Sequence, residues 1–312
     1  MSPYGTASTL APKFMLSNPM FKGSIVALVT PQNEQDEIDF EALDRLVEFH
    51  LENASDGLVV AGTTGESATL DKQEFSAVLR RVVERAGGKL LILAGTGSAS
   101  TRVAIEQTVS AAELGADGVL VVTPYYNNPT QAGLYAHYTA VADASGIPVV
   151  LYNVPSRTAV DMLPATVERL ASHARIVGVK EAVPDAARIR DLCARCGPDF
   201  VILSGDDSSC LESMRLGAKG VVSVAANVVP RQMHELCKAA EQHEWTRAEQ
   251  INLRLGPIFE VLMIETNPIP VKWALFEMGL AGSRVRLPLT RLDRKFRETI
   301  RQCLVEQELV ND

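Results

Sequence analysis

"LGADGVLV" at residues 114–121 returns as "LGAKGVVSV" at 216–224. In both copies a helical stretch ends on Leu-Gly, turns, and enters a β-branched run through a second glycine. The pattern is that of a chain leaving a helix for a strand. Its repetition marks a strand–helix unit used more than once. Working outward from it, eight runs read as strands: SIVALVT (24–30), GLVVAG (57–62), LLILAGT (90–96), GVLVVTP (118–124), PVVLYNVP (148–155), RIVGVKEA (175–182), FVILSGD (200–206) and GVVSVAAN (220–227). Most are continuously apolar rather than alternating, as parallel strands covered on both faces must be. The segments between them carry helical spacing: Phe40, Leu43, Val47 and Leu51 after the first strand, then Phe75, Val78, Leu79, Val82 and Val83 after the second. Asp71 and Glu74 have the spacing of a capping box at the start of that second helix.

Eight such units, with the last helix over residues 230–242, predict a TIM (β/α)8 barrel spanning 20–243. An open doubly wound sheet would use the same units, but no GxGxxG follows the first strand. Residues 244–312 hold no further strand pattern and read as a helical appendage, with apolar segments over 253–264 and 271–280. Residues 1–19 are rich in Ser, Thr, Pro and Ala. They lack the basic start and apolar core of a secretory signal, so they read as a loose extension, with Met20 an alternative start.

Composition removes several functions. A formal net charge of −8 over 312 residues offers no basic face for a phosphate backbone, so nucleic acid is not an expected partner. Gly, Pro or a charge interrupts every apolar run within about ten residues, short of a bilayer span. The five cysteines are odd in number and irregularly spaced, which fits a reducing cytoplasm. Cys193 and Cys196 form a CxxC late in a helical pattern, without the second pair a zinc site needs. Asp206 and Asp207 are the remaining candidates for a metal, but the five histidines are scattered with no HxH or HxxxH, and no metal is expected.

A barrel of this kind does its chemistry at the carboxyl ends of its strands. Polar residues there are Thr63, Thr64, Glu66 and Ser67 after the second strand, and Tyr125, Tyr126 and Asn127 after the fourth. Tyr152, Asn153 and Arg157 follow the fifth, Lys180 and Glu181 end the sixth, and Ser204–Asp207 end the seventh. A lysine closing a strand is commonly a solvent-reaching charge. Set in a low-dielectric mouth, however, an amine has its charged form disfavoured and becomes a nucleophile toward carbonyls, forming a Schiff base. Tyr152, Tyr126 and Thr63 hydroxyls could relay protons without permanent charge, and Arg157 has the fork that grips a carboxylate.

Six motifs then carry a resemblance: GTTGES (62–67), TPYYNNPTQAGLYAHY (123–138), LYNVPSRT (151–158), GVKEA (178–182), SGDD (204–207) and NPIPVKWAL (267–275). Together, in order, over about residues 21–289, they resemble the 4-hydroxy-tetrahydrodipicolinate (dihydrodipicolinate) synthase family of the class I pyruvate aldolases. The resemblance implies that Lys180 forms the Schiff base with pyruvate, with Tyr152 beside it. Thr63 and Tyr126 would complete the relay, Tyr126 reaching into a neighbouring subunit. It implies Thr64 for the pyruvate carboxylate, Gly205 and the Val222 carbonyl for pocket shape, and Arg157 for aspartate 4-semialdehyde. It also implies a lyase of lysine and diaminopimelate biosynthesis, a homotetramer built as a dimer of dimers, and no cofactor. The alternatives are a pyruvate-dependent aldolase of a sugar acid or hydroxy-oxo acid, whose relatives usually lack an arginine in this loop, and a silent barrel kept for binding.

Two departures stand out. After GVKEA the family usually continues Thr-Gly-Asp or Thr-Gly-Asn, whereas this chain has Val183-Pro184-Asp185. Of the positions that bind lysine in inhibited members, Ser67, Ala68 and Tyr125 match. Lys72 and Phe75 stand in place of histidines, Ala99 in place of Asn and Val103 in place of Glu. Without that acid the α-amino group of lysine lacks its partner, and Lys72 adds a like charge, so weak or absent inhibition is expected.

Overall fold

The computed structural model describes residues 21–311, and the extension expected over 1–19 lies outside them. Eight parallel strands, β1 (Gly23–Ala27), β2 (Gly57–Val60), β3 (Leu91–Gly95), β4 (Gly118–Val122), β5 (Val149–Asn153), β6 (Ile176–Glu181), β7 (Val201–Ser204) and β8 (Gly220–Ser223), follow one another around a closed barrel. β8 pairs with β1, so closure removes the doubly wound alternative. Each apolar run continues past the carboxyl end of its strand. Some of those extra residues stay buried, as Leu28, Val29 and Thr30 do, while others, such as Gly62, Ala182 and Gly205, are half-buried.

Alternation along each strand separates two apolar layers. Ile25, Val59, Leu93, Leu120, Val150, Leu203 and Val222 fill the interior, with Phe21 among them. Their neighbours Val26, Leu58, Ile92, Val119 and Val179 face outward under the helices. The glycines of the repeated motif earn their places here: Gly115 (φ +89°) and Gly217 (φ +116°) are left-handed, and a Cβ on Gly118 would stand 2.8 Å from the Phe21 ring.

The capping box forms as the spacing predicts. The Asp71 carboxylate accepts from the amides of Gln73 and Glu74, and Glu74 accepts from the amide of Asp71, at the start of helix Lys72–Ala86. Phe75, Val78, Leu79 and Val82 form its buried stripe. Helix Pro230–Glu241 follows the last strand and packs on β1, and the three helices Trp245–Val261, Ile269–Glu277 and Arg294–Glu306 come after it. Leu255, Ile258, Val271, Ala274, Ile300 and Leu304 of these helices join the same hydrophobic cluster as the barrel shell. The sequence pattern did not mark the last helix, because only Ile300, Cys303 and Leu304 of its charged surface are buried.

Candidate active site

A cavity of about 230 Å3 opens at the carboxyl end of the barrel, lined among others by Thr63, Thr64, Tyr152, Arg157, Lys180 and Gly205. Strand register brings the central pair together, since Tyr152 lies opposite Lys180 in the β5–β6 ladder. Both side chains point inward, and the Lys180 Nζ stands 4.2 Å from the centre of the Tyr152 ring. Lys180 is only 6% exposed. A side chain on Gly178, two residues earlier and on the same face, would lie 2.5 Å from the Val201 carbonyl.

Thr63 and Thr64 sit in the tight turn after β2, where the Glu66 amide donates to the Thr63 carbonyl at 3.1 Å and Glu66 is left-handed (φ +55°). Arg157 lies in the short helix Pro155–Thr158 and donates to the backbone oxygen of Asn267 at 3.3 Å. The Gly205 amide donates to the Glu181 carbonyl, and a Cβ on Gly205 would come within 2.7 Å of the Ala182 side chain. Val222 is elsewhere: it is buried inside β8 and does not line the cavity, whereas Val224 does.

Tyr126 is also absent from the cavity wall and is 98% exposed. It is the middle residue of a γ-turn, with φ +73° and the Asn127 amide donating to the Tyr125 carbonyl at 2.9 Å, a strained conformation for a non-glycine residue. Asn127 anchors the turn by donating from Nδ2 to the Ala99 carbonyl at 2.8 Å.

Three supporting residues escaped the sequence reading. Lys272, from helix Ile269–Glu277, is a second buried lysine: its Nζ donates to the Thr30 carbonyl, to Gln32 Oε1 and, at 2.6 Å, to Glu66 Oε1. Burial pushes its pKa down while Glu66 pulls it back up. Asn267 donates from Nδ2 to the Thr64 hydroxyl at 3.0 Å. Arg188, on the helix after β6, pairs with Glu181. Lys272 and Asn267 lie in the NPIPVKWAL motif but had no role assigned there, the signal for Lys272 being a charge inside the otherwise apolar IPVKWALF; Arg188 had none.

The carboxylates of Asp206 and Asp207 are occupied by nearby hydrogen-bond donors. Asp206 accepts from the Ser209 amide and the Ser208 and Ser209 hydroxyls, and Asp207 from the amides of Val224 and Ala225. Among the described residues no group of three or more His, Cys, Asp or Glu is placed to hold a metal. Cys193 and Cys196 end helix Ala186–Cys196; burial raises both thiols, Cys196 to about 11, which keeps them protonated at neutral pH. Among the described residues no helix is long and apolar enough to cross a membrane.

A second cavity of about 510 Å3 shares Thr63, Val154, Arg157 and Asn267 with the first and is lined also by Ser67, Ala68, Phe75, Val103 and Tyr125. Lys72 and Ala99 do not line it.

Fold and cavity define the class: a (β/α)8 barrel enzyme with a buried amine at the floor of its mouth. The chain belongs to the dihydrodipicolinate synthetase family, whose model matches residues 20–307. It is 52% identical over 291 residues to the 4-hydroxy-tetrahydrodipicolinate synthase of Nitrosococcus oceani, covering 93% of this chain and all of that one. The dihydrodipicolinate synthase of Aquifex aeolicus superposes with a TM-score of 0.92 at 47% identity, over 94% of this chain and all of that one. The chloride-inhibited dihydrodipicolinate synthase of Acinetobacter baumannii, solved with pyruvate, superposes with a TM-score of 0.91 at 45% identity, over 93% of this chain and 99% of that one.

Proposed function

We propose that this protein condenses pyruvate with L-aspartate 4-semialdehyde to give 4-hydroxy-tetrahydrodipicolinate, a lyase step toward diaminopimelate and lysine. The observation that carries this reading is the buried Lys180 amine, beside the Tyr152 ring in a cavity that Arg157 also lines. The amine attacks the ketone carbon of pyruvate, water leaves, and an imine forms. Loss of a methyl proton turns the imine into an enamine, whose carbon attacks the aldehyde of the second substrate. The amino group of that substrate then attacks the imine carbon, closing the ring and releasing Lys180.

Each proton transfer needs a neutral relay in a cavity sheltered from water, the part assigned to Tyr152, Thr63 and Tyr126. Thr64 takes the pyruvate carboxylate, Arg157 the carboxylate of the semialdehyde, and Gly205 shapes the pocket. Tyr126 reaches the site of a second copy rather than its own, a placement supported by its exposure and its strained turn. Function then requires at least a dimer, in the assembly of a cytoplasmic homotetramer made of two such dimers.

The test is the initial rate with pyruvate and aspartate 4-semialdehyde, coupled to the reductase that consumes the cyclic product. Turnover that falls to background in Lys180→Ala supports the reading. A folded wild-type protein that traps pyruvate but turns over no semialdehyde moves the assignment to an aldolase of a sugar acid or hydroxy-oxo acid.

A further inference from the structure

Behind the Tyr152–Lys180 pair, on the outer face of the same two strands, lies a closed polar cage. Strand alternation fixes this: where Tyr152 and Lys180 face the cavity, their successors Asn153 and Glu181, again directly opposite in the ladder, face the helices. Both are buried, at 0% and 1% exposure. Asn153 Nδ2 donates to Glu181 Oε1 at 3.0 Å and to Asp161 Oδ1 at 2.9 Å, while its Oδ1 accepts from the Met162 amide at 2.9 Å. The Val183 amide donates to Glu181 Oε1 at 2.9 Å.

Arg188 closes the cage from helix Ala186–Cys196. Its Nε donates to Glu181 Oε2 at 2.7 Å. Its two terminal nitrogens grip the Asp161 carboxylate at 3.0 and 2.7 Å, and one of them also reaches the Met162 carbonyl at 2.6 Å. One guanidinium thus ties the end of β6 to the segment that follows Arg157, and Asn153 ties the end of β5 to both. The departure at residues 183–185 preserves this arrangement: Val183 supplies its amide to Glu181, and the Asp185 carboxylate caps the helix bearing Arg188 through the Ala187 amide at 2.8 Å.

We infer that Arg188, with Glu181, Asn153 and Asp161, is a positioning device that fixes where Lys180 and Tyr152 stand relative to each other and so sets the rate of imine formation. The inference rests on the reading of Lys180 as the nucleophile. A planar fork anchored at three points holds a backbone in one register, which an ammonium on a flexible stem does not. Misplacing a nucleophile by about 1 Å costs about a hundredfold in rate. None of the four residues needs to touch substrate.

The experiment uses the full-length protein and two variants, Arg188→Lys and Asp161→Asn, with pyruvate and borohydride. Adduct taken to completion counts competent sites, the early time course gives the rate per competent site, and the melting temperature is recorded alongside. Expected is near-complete final labelling with a rate per site lower by about tenfold or more in Arg188→Lys and by roughly threefold in Asp161→Asn. The KM for the second substrate should move less than about twofold. Rates per site equal to wild type in both variants, with only the melting temperature lowered, would make the cage purely structural and overturn the inference. If Arg188→Lys does not fold, Asp161→Asn decides alone, because Asp161 is partly exposed and its loss opens only one side of the cage. Absence of any adduct in the wild type sinks the reading of Lys180 instead, a separate outcome.

Discussion

Replacing Lys272 with methionine tests how the appendage supports the cavity. The side chains of Lys272 and Glu66 are each 1% exposed, and the ammonium uses all three protons: on the Thr30 carbonyl and Gln32 Oε1 at 2.9 Å, and on Glu66 Oε1 at 2.6 Å. Methionine fills the same volume but leaves the Glu66 carboxylate with the Arg286 amide, at 3.0 Å, as its remaining partner. Removing one member of a buried ion pair costs about 3–5 kcal/mol. At roughly 2 °C per kcal/mol for a chain of this size, the melting temperature should fall by about 6–10 °C. Adding Glu66→Gln removes the stranded charge, so the double variant should regain about 2 kcal/mol relative to the sum of the single losses. Equilibrium unfolding in guanidinium chloride of the wild type, both single variants and the double gives the cycle. A loss below about 1 kcal/mol in Lys272→Met, or losses that simply add, would refute the reasoning, since a buried pair must be coupled.

Lysine should inhibit weakly or not at all, because Val103 and Phe75 line the second cavity in place of the acid and one of the histidines of inhibited relatives; strong inhibition at sub-millimolar lysine contradicts this. Acid should destabilise the fold through two buried histidines: burial holds His50 to about 3 and His137 to about 4, against an ordinary 6.5. The unfolded chain therefore takes up protons that the native state refuses. The stability these neutral rings confer is intact above about pH 6.5 and lost on acidification, by about 2 kcal/mol per histidine near pH 5. Buried Asp207 and Glu181, whose carboxyls are raised, act in the opposite direction, so the readout is the difference between wild type and His50→Gln, which should shrink the acid loss; an unchanged pH slope refutes the assignment.

Much of the barrel was legible because burial on both faces writes most strands as continuous apolar runs, and because two of the return turns repeat the same pair of glycines. The same logic brought Lys180, Tyr152, Thr63, Thr64, Arg157 and Gly205 to one mouth, since they sit at or just beyond the carboxyl ends of parallel strands. What stayed hidden depends on contacts distant in the chain. Lys272 meets Glu66 across 206 positions, and Asn267 meets Thr64 across 203. No local pattern encodes such partners. Arg188 was hidden for another reason: a charged residue on a helix reads as solvated until the fold shows its side chain packed beneath the strand ends. Tyr126 was identified by its place after the fourth strand and by the resemblance, which also implied its outward reach; its strained turn came only with the backbone.

The central claim is that Lys180, and not the other buried lysine, is the nucleophile. Borohydride reduction of the protein with pyruvate, followed by peptide mapping, tests it directly. A stable adduct on the peptide carrying Lys180, absent in Lys180→Ala, is the predicted result. An adduct on Lys272 or any other lysine, or none from folded protein, contradicts it.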